Sequence, residues 1–182
     1  MKKTAIKNLI LCALFSALIC IGAFIKIPFI LVPITLQTHF VLLCGLILGA
    51  KLGFISVAVY VLLGLVGLPV FTQGGGIGYV LQPTFGYILG FGLAALISGY
   101  AIERFKKKTY WSYFLSALLG YAAIYIIGLP YFYVVFTIHL GKEITIIKLL
   151  LTCFIVFIPS EMLSIAIASY LAKRLKPFVN KV

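Results

Sequence analysis

The sequence predicts an all-α integral membrane protein, a bundle of six transmembrane helices with its N- and C-termini on the cytoplasmic side. Composition is the first ground: 64% of the 182 residues are hydrophobic and 10% are charged, and the mean hydropathy is +1.23. A soluble domain so composed would have a surface as apolar as its core. Punctuation is the second. Crossing a hydrocarbon core of about 30 Å takes roughly 20 apolar residues, so one domain over residues 1–182 has room for about six passes and no soluble appendage. Charge is the third, because the basic residues fall in alternate connections.

The first pass is Leu9 to Ile25, preceded by Lys2, Lys3 and Lys7. This basic start followed by an apolar run also has the look of a signal peptide. No small-x-small cleavage site closes it and further spans follow, so it reads as a retained helix. Pro28 and Pro33 bound a short apolar segment, and Leu36 to Ala50 is the second pass. Lys51 and Gly53 mark a tight turn before the third, Phe54 to Leu68. The fourth runs from Thr84 to Ile102 and ends in the basic run ERFKKK. Trp111 to Ile138 is the fifth, with a kink or break expected at Gly128 and Pro130, because proline lacks the backbone donor and clashes with the preceding turn. Ile144 to Ala172 is the sixth.

With the N-terminus inside, this arrangement puts 12 basic residues in cytoplasmic segments and 3 (Lys26, Lys142 and Lys148) on the other side. The positive-inside rule selects it. The formal net charge of +12 is therefore topological, directed at the anionic lipid of the bilayer rather than at nucleic acid. Cys12, Cys20, Cys44 and Cys153 lie in predicted spans without ligand spacing, and His39 and His139 have no partner at i+3 or i+4, so no metal site is expected.

Two polar features stand out of this apolar background. The stretch Thr72 to Gln82 carries no charge but gathers Gly74, Gly75, Gly76 and Gly78 beside Thr72, Gln73, Tyr79 and Gln82. It reads as a flexible turn or as a solute-binding loop, in which glycines permit positive φ and close backbone approach. On the second reading Phe71, Tyr79 and Phe85 offer flat apolar faces. No Lys-Ser/Thr pair follows it, so it is not a phosphate loop.

Glu161 is the other, the only carboxylate inside a span, since Asp is absent and Glu103 and Glu143 fall in connections. An intramembrane acid lines a cavity or meets a partner, the plainer reading being a protonated Glu bonded to a neighbouring helix. Pro159 just before it implies a local opening of the helix, and Ser164, three residues on, is expected to address the same ligand. A lone acid without a paired carboxylate, nucleophile–base couple or metal argues against an enzyme. A membrane enzyme using Glu161 would show turnover that Glu161→Gln abolishes, and a purely structural subunit would show neither turnover nor binding. Uncharged hydrogen-bonding groups at one end of a bundle suit a small, partly apolar solute.

The runs VPITLQTHFVLLCGLILGAKLG, YVLLGLVGLPVF and GGGIGYVLQPTFGYILGF, in that order over nearly the whole chain, resemble the BioY family, the biotin-specific substrate-binding (S) components of energy-coupling factor (ECF) transporters. The resemblance implies a six-helix S component in a prokaryotic plasma membrane that captures its vitamin at the extracellular face. It also implies partners: a transmembrane coupling subunit and two cytoplasmic ATPases, with ATP used by them and no cofactor bound by this chain. In S components an Ala-x-x-x-Ala pattern on the first helix docks on the coupling subunit, and Ala13 and Ala17 are similar to it; as residues alone they also suit packing inside the bundle.

The implied substrate pocket joins Thr72, Gln73, Gly74, Gly75, Tyr79 and Gln82 of the loop, Thr84 and Tyr87 of the fourth helix, and Glu161 with Ser164 of the sixth, under a lid formed by Lys26 to Gln37. One departure bears on the ligand. Biotin-binding members resemble Pro-Gly-Asp-x-x-Lys where this chain has Pro159, Ser160, Glu161, Met162, Leu163 and Ser164, so an acid is kept and a cation is missing. Lys26, Lys142 and Lys148 are the candidates to replace it, and lipoate, dethiobiotin or a dicarboxylic biotin precursor are the alternative ligands.

Overall fold

A short apolar helix and a long one with similar composition end up in very different places in this molecule. The computed structural model describes residues 2–29 and 31–181; Ile30, inside the proposed lid, lies outside them, as do Met1 and Val182. Seven α-helices follow one another: α1 (Lys2–Phe24), α2 (Gln37–Leu48), α3 (Ala50–Leu65), α4 (Phe85–Arg104), α5 (Tyr110–Val134), α6 (Ile146–Cys153) and α7 (Ile158–Lys181). Between α1 and α2 lies a small antiparallel ribbon of β1 (Lys26–Ile27) and β2 (Ile34–Thr35).

Among the described residues, four stretches are long and apolar enough to cross a membrane: Thr4–Phe24, Phe85–Arg104, Tyr110–His139 and Ile146–Val179. At 1.5 Å per residue, the shorter α2 and α3 reach only about 18 and 24 Å. Their place in the bundle explains this. α2 packs against α1, α3, α4, α5 and α7, with Val41, Leu42, Cys44 and Leu46 fully enclosed, as expected of a helix apolar on every side. α1 is its opposite: Leu9 and Ile10 are 72% and 61% exposed, and Ala13 and Ala17 lie on the same outward face. Packing of that alanine pair inside the bundle is thereby ruled out. Surface of this kind faces lipid, which is as apolar as the side chains themselves.

Because lipid supplies no hydrophobic drive between helices, close packing must come from small residues. A Cβ on Gly90 would lie 2.8 Å from Ile124 Cα, and one on Gly120 would lie 2.8 Å from the Ala94 carbonyl. These two contacts, one in each direction, seat α4 on α5.

Several boundaries differ from the sequence expectation. The turn between α2 and α3 is at Gly49 (φ 85°), and Lys51 and Gly53 lie inside α3. The turn tightens there because Glu103, from the end of α4, accepts the Ala50 N–H at 3.2 Å, satisfying one of the orphan donors at the start of a helix. Gly53 then approaches Gly45 of α2, where an added Cβ would be 3.0 Å from its Cα. In α5 the helix runs through Pro130 without a break, and the irregular turn follows at Val135–His139, where Leu140 N–H reaches back to Val135. The expected single sixth helix is two. α6 stops at Cys153, Phe154 turns away (φ −135°, ψ −63°), a 3-10 turn spans Ile155–Phe157, and α7 restarts at Ile158. Pro159 explains the break, since it has no N–H to give the Ile155 carbonyl and fits only the first turn of a new helix.

Candidate functional site

The β1–β2 ribbon, the glycine loop, the heads of α2 and α4, and the α6–α7 turn meet at one end of the bundle around a cavity. Pro33 and Thr35 line it from the ribbon, Gln37 and Thr38 from α2, Thr72 and Tyr79 from the loop, Thr84, Tyr87 and Phe91 from α4, Ile124 and Tyr125 from α5, and Cys153, Phe157 and Glu161 from the last helix pair.

Most of these polar groups are held by protein partners. Thr72 and Tyr79 pair through their hydroxyls at 3.0 Å. Gln37 donates through Nε2 to the Tyr60 hydroxyl at 2.5 Å and accepts from Thr35 at 3.4 Å. Tyr87 donates to the Cys153 carbonyl at 3.2 Å, and its ring fits because Gly128 has no Cβ, which would stand 2.6 Å from Cδ1. Glu161 and Thr84 differ. Glu161 is 5% exposed, yet its Oε2, like Thr84 Oγ1, is buried with no hydrogen-bond partner. A buried polar atom left unpaired costs about 1–3 kcal/mol. Two on the wall of one cavity mark the positions where a solute's donors would be met. Tyr121 OH is a third such atom, on the α5 turn below Tyr125, with ring centroids 4.8 Å apart.

The glycine loop is folded on itself rather than around a solute. Phe71 and Gly74 exchange backbone hydrogen bonds at 2.9 and 3.2 Å, and Gly76 N–H donates to the Gly64 carbonyl at 2.7 Å. Gly74 and Gly76 do take positive φ (117° and 102°). Gly75 makes the close backbone approach, but to the chain itself: a Cβ would sit 2.0 Å from the Leu68 carbonyl oxygen. Gln73 and Gln82 point outward and are exposed. Of the three aromatics expected to offer faces, Phe71 and Phe85 pack with Tyr79 and Tyr60 in a cluster whose closest centroids are 4.6 Å apart, and only Tyr79 reaches the cavity.

Ser164 is not on the cavity either. Three residues along an α-helix turn through about 300°, so Ser164 is displaced about 60° from Glu161. It lies in a lateral groove between the ribbon, α2 and α7, which Glu161 also borders, and its carbonyl meets His39 Nδ1 at 3.2 Å. Thr72, Tyr79, Thr84, Tyr87 and Glu161 are thus brought together, while Gln73, Gly74, Gly75, Gln82 and Ser164 are not. Residues the sequence reading passed over complete the wall, chiefly Thr38, Ile124 and Tyr125. For Thr38 a signal existed: Gln37, Thr38 and His39 are three polar residues in a row at the head of an otherwise apolar helix.

A cavity whose wall mixes apolar side chains with uncharged polar groups and a single acid, at one end of a lipid-facing helical bundle, defines the class: a multi-pass membrane protein that binds a small solute. The particular family follows from comparison. The model of the BioY family matches residues 1–181. The probable biotin transporter BioY of Lysinibacillus sphaericus is 45% identical over 175 residues, covering 96% of this chain and 89% of that protein. The biotin transporter BioY of Thermotoga maritima is 39% identical over 171 residues, covering 93% and 96%. Among solved structures, the crystal structure of the S-component for biotin from an ECF-type ABC transporter superposes with a TM-score of 0.85 at 27% identity, covering 97% of this chain and 94% of that one. The chain belongs to the BioY family.

Proposed function

We propose that this chain is the substrate-binding component of an ECF-type transporter and captures biotin from the outer side of a prokaryotic plasma membrane. The observation that carries the reading is the pair of unpartnered buried atoms, Glu161 Oε2 and Thr84 Oγ1, on the wall of one cavity. Biotin's ureido ring supplies N–H donors for a carboxylate acceptor, and its thiophane ring and valeryl chain suit Phe91, Ile124 and Phe157. The relatives' names point to transport rather than catalysis.

In this reading the four long spans together with α2 and α3 make six passes, with both termini cytoplasmic as the 12-to-3 distribution of basic residues favours. ATP hydrolysis belongs to two partner ATPases, and a transmembrane coupling subunit docks on the outward face of α1 at Ala13 and Ala17. Replacing both alanines by Leu is expected to leave biotin binding by the purified chain intact while abolishing uptake in cells that express the partner subunits; loss of binding by a folded variant overturns that division of labour. The primary test is calorimetric titration of the purified chain in detergent with biotin, with dethiobiotin and lipoate as competitors. Binding of biotin ahead of both supports the reading, and its failure while a competitor binds assigns the scaffold to another ligand.

A further inference from the structure

The cavity has an acid and no base: among its described lining residues Glu161 is the sole ionisable group that is charged at neutral pH in water, and none is a lysine or arginine. A carboxylate-bearing solute cannot place its own negative charge against Glu161, so its acid end must turn to the lid-and-loop side. There the structure brings one cation to the wall. Lys26 is paired with Thr35 across the ribbon, and directly paired residues of an antiparallel ladder project from the same face. Thr35 lines the cavity. At its other end Lys26 Nζ donates to the carbonyl of Thr72 at 2.6 Å, and Thr72 lines the cavity as well. The lysine is therefore bracketed by two wall residues, one at its base and one at its tip. Its side chain is exposed, so the ammonium, while bonded to the Thr72 carbonyl, keeps two further N–H donors.

The other two outer lysines lack this placement. Lys142 Nζ stands 5.8 Å from the Phe136 ring centroid, and Lys148 is exposed on the first turn of α6; Lys26 does not line the cavity itself, but it alone of the three is held to residues that do, Thr35 by strand pairing and Thr72 by a hydrogen bond.

We infer that Lys26 is the residue that selects for an anionic solute, its ammonium pairing with the solute's carboxylate at the seam between lid and glycine loop while holding that seam closed through Thr72. The inference rests on the proposed capture of biotin and names the cation that reading leaves open. The test compares two probes in the same calorimetric assay, biotin and its neutral carboxamide. Wild-type protein is expected to prefer biotin by about tenfold or more, the range of a charge-assisted hydrogen bond. Lys26→Met is expected to remove that preference by weakening biotin alone, Lys26→Arg to keep most of it, and Lys142→Met to leave both probes unchanged. Equal weakening of both probes by Lys26→Met would make the residue a structural latch and overturn the inference, as would no change in either. A wild-type chain that binds neither probe overturns the biotin reading itself, a result distinct from any of these.

Discussion

On the loop side of the cavity the hydroxyls of Thr72 and Tyr79 satisfy each other at 3.0 Å, whereas on the helix side Glu161 Oε2 and Thr84 Oγ1 are buried without partners. The two sides also differ in what their sequence looks like. The loop carries the conspicuous glycine cluster and the polar residues Gln73 and Gln82; the helices offer single polar residues scattered through apolar runs. The contrast teaches that a conspicuous polar loop can spend its hydrogen bonds on its own fold, while single polar residues on packed helices are left with unpartnered atoms at the cavity. Glycines fold the loop back on the end of α3, and once folded its hydrogen-bonding capacity is used up internally or turned to solvent. Helices satisfy their own backbone, which leaves their side chains free for a solute.

Glu161→Gln should break this comparison most. It replaces an acceptor-only carboxylate by an amide whose N–H₂ opposes the ureido N–H donors, and loss of a charge-assisted bond of about 1.5–3 kcal/mol predicts biotin binding weaker by roughly 10- to 100-fold in the calorimetric titration. Gly75→Ala sharpens it from the other side. Its methyl collides with the Leu68 carbonyl, and since that atom is backbone the loop must shift, so a lower melting temperature in detergent is expected, with affinity per folded molecule changed less than by Glu161→Gln. The smallest effect belongs to Gln73→Ala, Gln82→Ala and Ser164→Ala. The two glutamines are exposed and Ser164 is off the cavity, so each should bind biotin within about twofold of wild type, the scatter of surface substitutions. A tenfold loss at any of the three would return recognition to the positions the sequence made prominent.

The sequence made the all-α membrane character legible because hydropathy acts over whole spans. Five of the six expected apolar stretches each correspond to one α-helix, and the sixth to two. It made Glu161 legible for the same reason, a lone acid against a background in which its burial demands explanation. Local geometry was harder. Lys51 and Gly53 looked like a turn, but the reversal is at Gly49, where a carboxylate 53 residues away along the chain caps the next helix. Pro159 announced an opening, yet nothing adjacent announced that Phe154 would take the break one turn earlier. Tyr125 and Ile124 were invisible as wall residues because a tyrosine and an isoleucine in a membrane helix look like any others until α4 is seated against α5. Ser164 shares a lateral groove with Glu161 but not the cavity, because i and i+3 share a broad face of a helix and not a narrow one.

The short central helix has one more consequence. Gln37 and Thr38 at its head touch the cavity, while at its tail the Leu46 carbonyl receives Lys176 Nζ at 2.8 Å and Gly49 abuts Glu103. A rod of about 18 Å, gripped along its length by five neighbours, has no slack in which to absorb a displacement. One short rod thus reaches from the cavity wall at Gln37 and Thr38 to the contacts with Lys176 and Glu103 at its other end.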